Sequence, residues 1–160
     1  MTTLDLYHLA LVGHIVGLTM AAGTTLVDYV ILKQFWKQLA IDRPKGVAIL
    51  NATSRFPLLF GIGFLLLIIS GVTLMAITHG AFGEQSWFRI KMALVVILVI
   101  NGVAVGRRQG TKLRKILSGE KPGGDVEERL LKLRKNINWF QTCQLALFLA
   151  IFILGVFKFN

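Results

Sequence analysis

The twenty residues from Leu58 to Ile77 contain no Asp, Glu, Lys or Arg. At about 1.5 Å of rise per residue, a helical run of that length matches the hydrocarbon thickness of a bilayer, and a helix satisfies its own backbone polar groups there. Comparable apolar stretches precede and follow it, giving spans at about 6–35, 57–78, 87–105 and 139–157. Composition agrees: 54% hydrophobic residues against 16% charged leaves too little polar surface to cover a water-soluble globule. The chain therefore reads as all-α, a polytopic four-transmembrane-helix bundle in a single integral membrane domain, 1–160.

The first stretch carries no Lys or Arg before Lys33, lacks the positive start of a cleaved signal and exceeds the hydrocarbon thickness, so it must tilt or project beyond the bilayer. Asp42-Arg43-Pro44-Lys45-Gly46 breaks it, and a short interfacial helix is expected over Gly46 to Arg55. Pro57 suits the first turn of the second span, His79 to Glu84 reads as a turn, and Trp87 with Phe88 reads as an interfacial aromatic anchor for the third. Pro122-Gly123-Gly124 separates two basic helical pieces. Leu130, Leu131, Leu133 and Ile137 give the second piece an apolar side, expected to lie on the membrane surface and run into the last span, with 157–160 as a short tail.

Net charge is +10, from 18 Lys and Arg against 8 Asp and Glu. All of those cations except Arg89, Lys91 and Lys158 fall in or beside the two loops at 36–56 and 106–138. Basic residues gather in short cytoplasmic loops, so both termini and the His79 turn are expected outside and both basic loops inside, as in a bacterial cytoplasmic (inner) membrane. Topology thus accounts for the charge without nucleic acid, and anionic lipid is the expected contact of the cluster from Arg107 to Lys115.

Ionisable groups inside a span are costly and persist where they face the bundle interior and find a partner. Three stand out: His14 and Asp28 in the first span and Lys91 near the start of the third. His14 and Asp28 are fourteen residues apart, which returns a helix to within about 40° of its starting direction, whereas His8 is rotated about 120° from His14 and belongs at the interface. Gly17, Thr24 and Thr25 fall near the His14–Asp28 side, a small, polar stripe. For His14, two readings stand side by side: a satisfied structural histidine, or a metal ligand of the kind that holds haem iron. Gly13-x-x-x-Gly17 and Gly102-x-x-x-Gly106 are spacings that let helices approach closely, and the first also offers a groove for a flat cofactor. Lys91 either snorkels outward or turns in toward His14, where its amine would hold a propionate, transfer a proton or bind a metal; Arg89 points nearly the opposite way. Asn101, Ser70, Gln141 and Gln144 are candidates for interhelical hydrogen bonds.

Cys143 is the single cysteine, which excludes an intrachain disulfide and any multi-cysteine metal site. The methionines and histidines lack the close spacing of a copper site, and no phosphate loop, dinucleotide fingerprint, nucleophile elbow or zinc-protease motif occurs.

His14-Ile15-Val16-Gly17 through Ala22-Gly23, with Trp87-Phe88-Arg89-Ile90-Lys91-Met92-Ala93-Leu94-Val95, resembles the four-helix membrane superfamily of HemJ-type protoporphyrinogen oxidases, CopD-type domains and related bacterial integral membrane proteins. The chain has Met20-Ala21 where HemJ-type proteins carry a tryptophan and Asn101-Gly102 where they carry a histidine. The resemblance implies haem b, with His14 as metal ligand, His14, Gly17 and Lys91 as cofactor-binding residues and Lys91 as the catalytic partner; Asp28 and Asn101 are further intramembrane polar residues.

Two classes of function follow. One is a haem b-associated membrane oxidoreductase or electron-transfer protein acting on a hydrophobic porphyrin or quinone-like substrate. The other is a small-solute or metal permease, or a non-enzymatic assembly subunit. The small-residue faces also lead us to expect a homodimer.

Overall fold

The computed structural model describes residues 2–81, 83–118 and 126–157. Phe82, Lys121, the Pro122-Gly123-Gly124 separator and the tail at 158–160 lie outside the described residues. The elements are α1 (Thr3–Ile41), α2 (Arg43–Ala52), α3 (Phe56–Ile77), α4 (Ser86–Ile100), a π-helical turn (Asn101–Gly106), α5 (Arg107–Leu117) and α6 (Val126–Phe157). No strand occurs among the described residues. Four helical stretches, Thr3–Ile41, Arg43–Ile77, Ser86–Leu117 and Val126–Phe157, are long and apolar enough to cross a membrane.

Local chemistry sets the boundaries. Thr2 and Asp5 form a reciprocal capping box at the start of α1, satisfying two of its orphan N–H groups. Asp42 serves two helices at once: its N–H donates to the Gln38 carbonyl at the end of α1, and its carboxylate accepts from the Lys45 N–H at the start of α2. Pro44 and Pro57 occupy first turns, where a missing N–H costs little. The turn after α3 passes through His79 at φ 50° and Gly80 at φ 71°, and the Gly80 N–H closes onto the Met75 carbonyl at 3.0 Å.

α1 has 39 residues, about 58 Å at 1.5 Å each, and its excess length builds a second core beyond the spans. There Phe35 and Trp36 of α1 meet Leu113 of α5 and Leu133 and Ile137 of α6, with Leu39, Ile49 and Leu50 alongside. α2 folds back against α1 so closely that a Cβ on Gly46 would lie 2.9 Å from Leu39 Cα. The first core lies inside the spans, around Ala21, Leu98, Phe148 and Ile151. Large apolar side chains such as Val12, Ile69, Val96 and Phe152 stand exposed along all four long helices, the surface a bilayer covers.

Two local expectations are corrected. Trp87 is 5% exposed, its indole N–H donating to the Gln85 side chain, so it packs inside the bundle instead of facing headgroups. Leu130, Leu133 and Ile137 join the second core and only Leu131 of that group is exposed, because α6 is one unbroken helix and its first turns continue the line of the last span. After the third span the backbone runs on through the π turn into α5, the first basic helical piece, and brings Leu113 to that core.

Candidate functional site

The polar stripe of α1 meets different neighbours along its length. His14, half-buried, places Nδ1 3.0 Å from Ser70 Oγ of α3. The Ser70 hydroxyl has one proton and stands 2.6 Å from the Leu66 carbonyl, so it donates there and accepts from His14 Nδ1–H. That assignment leaves Nε2 as the basic nitrogen of the ring.

Lys91 lies within electrostatic reach of His14, and its Nζ sits over Gly155 of α6, 3.7 Å from where a Cβ would stand. Arg89 points outward and pairs with Glu84 at 3.1 Å. The two residues singled out as a pair thus stand at the same end of the bundle, away from the basic loops.

Gly17, one turn below His14, is a helix-crossing residue. A Cβ there would meet Gly63 O at 2.7 Å and Leu67 N at 2.9 Å, so α3 itself fills the Gly13–Gly17 groove and leaves no slot for a flat cofactor. Gly102 and Gly106 lie in the π turn and face α6: positions for a Cβ come 3.5 Å from Gln144 Nε2 and 3.0 Å from Phe140 Cζ.

Lower in the bundle the stripe turns to α6. Gln141 Nε2 donates to Asp28 Oδ2 at 3.0 Å. One turn away, Asn101 Nδ2 donates to Gln144 Oε1 at 3.0 Å, and Gln144 Nε2 reaches the Leu98 carbonyl at 3.4 Å, a chain that satisfies the end of α4 where the helix widens into its π turn. Gln141 and Gln144 are each 3% exposed.

Between the two cores, bounded by Leu32, Leu113 and Ile137 on one side and Phe60 on the other, lies a cavity of about 500 Å³. Asp28, Thr24, Thr25, Gln141 and Gln144 line it, with Gly102 and Gly106 of the π turn and Gln109 of α5. No described Lys or Arg side chain is within ion-pair distance of Asp28, so its observed partner is a neutral amide. Among the described residues no group of three or more His, Cys, Asp and Glu is placed to hold a metal ion.

The residues singled out in the sequence therefore fall into two groups. His14 and Lys91 stand at the same end, His14 bonded to Ser70; Asp28 at the cavity and Asn101 each bond a glutamine of α6, Gln141 and Gln144. Gln109 escaped sequence reasoning. The available signal was its spacing four residues before Leu113, which puts it on the inward side of α5. No curated protein and no solved structure matches the chain. Residues 9–159 match the family described as Predicted integral membrane protein (DUF2269), and the chain belongs to that family.

Proposed function

We propose that the protein is a small-solute permease whose binding site is the cavity beside Asp28. The observation that carries this is an intramembrane carboxyl group lining a cavity of about 500 Å³ with a neutral amide as its partner. An acidic group at membrane depth is costly, and in membrane proteins it marks a substrate or ion path. Cavities of this size suit small molecules, and interrupted helices lining a cavity recur in transporters. The π turn at Asn101–Gly106 is such an interruption, set in the wall of this cavity. Positive-inside orientation puts the cavity in the cytoplasmic half, in a bacterial inner membrane with both termini outside.

The test is thiol access. In a Cys143→Ser background, Thr24→Cys should react with a small water-soluble thiosulfonate added from the cytoplasmic side of oriented vesicles. For a permease it should also react, more slowly, from the other side. A thiol unreactive from both sides would overturn the proposal.

A second reading, a haem-associated oxidoreductase, is favoured by one observation: the Ser70 contact leaves His14 Nε2 as the basic nitrogen, the tautomer that an axial ligand needs. The residues of one chain do not fit a macrocycle, because α3 occupies the Gly17 groove and His14 stands apart from the cavity. A haem at His14 would need a second surface, such as a second copy of the chain. Visible spectra of the protein from haem-replete cells, oxidised and dithionite-reduced, decide it. A Soret band lost in His14→Ala supports this reading, and a colourless protein refutes it.

A further inference from the structure

Three buried side-chain polar atoms among the described residues have no hydrogen-bond partner: Trp36 Nε1, Gln109 Oε1 and Gln141 Oε1. The two oxygens belong to residues that line the cavity. With Asp28 ionised the Gln141 amide does not turn to relieve its orphan, since reversal would set oxygen against the carboxylate Oδ2 at 3.0 Å in place of the N–H donor. Gln141 is 3% exposed, so bulk water does not satisfy that oxygen. The hydroxyls of Thr25 and Thr53 donate to the carbonyls of Ala21 and Leu50 at 2.8 and 3.0 Å, which leaves their lone pairs toward other partners. The wall is therefore rich in acceptors around one acidic group. Phe60 and Phe140 add aromatic surface, favourable to a cation. Arg114, the one described Lys or Arg on the lining, has an exposed side chain that water screens.

We infer that the cavity takes a small organic cation bearing a primary ammonium, with Asp28 as counter-ion and the Gln141 and Gln109 oxygens accepting its N–H bonds. This rests on the solute-binding reading above. An ammonium supplies the charge that Asp28 lacks and the donors that both amide oxygens lack, in one group. A quaternary ammonium supplies only the first, and an anion supplies neither.

The test uses the full chain in phosphatidylcholine nanodiscs, titrated calorimetrically with n-butylammonium, butyltrimethylammonium, butyrate and butanol. Butylammonium should bind at least tenfold more tightly than the trimethyl compound, with no heat from butyrate or butanol. Asp28→Asn should remove binding of both cations. Gln141→Leu, whose fold is checked by its thermal midpoint, should keep cation binding but bring the preference below threefold. Nanodiscs containing phosphatidylethanolamine distinguish the source: competition with butylammonium assigns the ammonium to a lipid headgroup, and its absence assigns it to a free solute, both within the inferred class. Equal binding of the trimethyl compound, or binding of butyrate alone, overturns the inference while leaving a solute site in place. If none of the four binds and Thr24→Cys is still reactive, the ammonium class alone falls; if Thr24→Cys is also inert, the permease reading falls with it.

Discussion

The tightest helix contact makes the sharpest quantitative prediction. At the α1–α3 crossing, a methyl on Gly17 would lie 2.7 Å from Gly63 O and 2.9 Å from Leu67 N, both backbone atoms that cannot rotate away. To reach ordinary contact at 3.4 Å the two helices must separate locally by about 0.7 Å, across the most extensive helix pair among the described residues. Overpacking of this kind typically costs about 1–3 kcal/mol, and for a chain of this size each kcal/mol moves the thermal midpoint by about 2–4 °C. Gly17→Ala should therefore lower the midpoint by about 2–12 °C. Gly63→Ala should do the same, its Cβ falling 2.7 Å from Met20 Cβ. The same helices carry their own control. Gly23 and Gly61 have nothing within 4 Å of a Cβ, so alanine there should leave the midpoint unchanged or raise it through helix propensity. The midpoint is read in detergent from alkylation of half-buried Cys143 on heating. A Gly17→Ala midpoint at or above that of Gly23→Ala would refute the close-contact reasoning.

Gln144→Leu severs the Asn101–Gln144–Leu98 chain and should cost about 1 kcal/mol, since such bonds within membranes average about 0.6 and reach about 1.7. A double-mutant cycle with Asn101→Leu should return a coupling of that order, and zero coupling would show that the chain contributes nothing. In the second core Trp36→Ala should cost about 3–5 kcal/mol in the chemical-denaturation midpoint, whereas Trp36→Phe, which removes an indole N–H without a partner, should cost clearly less. Equal losses would place the energy in the N–H and not in the ring. For orientation, His79→Cys in a Cys143→Ser background should label with an impermeant maleimide in intact cells, and Lys132→Cys only after lysis; the opposite pattern would invert the topology.

The four long helices were legible because hydropathy and length act locally: Leu58 to Ile77 without a charge can do little else. Pro57 in a first turn and the excess length of the first helix were equally readable. What the excess length does was not, since Phe35 and Trp36 look like the end of a span until Leu113 and Ile137, about a hundred residues on in the latter case, are seen to cover them. Trp87 misled for a related reason. A tryptophan at a span's edge suits both a headgroup layer and a bundle interior, and only packing separates the two. At the site, Asp28, Asn101, Gln141 and Gln144 were each visible as polar residues in apolar runs, but their pairing is a long-range fact carried by α1·α6 and α4·α6 packing. The π turn has no periodic signature in NGVAVG, and with it the cavity wall was hidden.

That turn also fixes a rotational phase. An α-helix advances about 100° per residue, so the azimuth at which α5 meets the rest of the molecule depends on how many residues the wide turn absorbs. Deleting one residue between Asn101 and Gly106 would restore ordinary winding and nearly keep the phase of α5, whereas rewinding all six as ordinary α-helix would rotate everything that follows on α5 by about 100°. Leu113, now 2% exposed against Phe35 and Trp36, would swing out of the second core and a basic neighbour would swing toward it. The wide turn thus works as a gear between an apolar helix and a basic one, letting each keep its own face toward its own surroundings on a single continuous backbone.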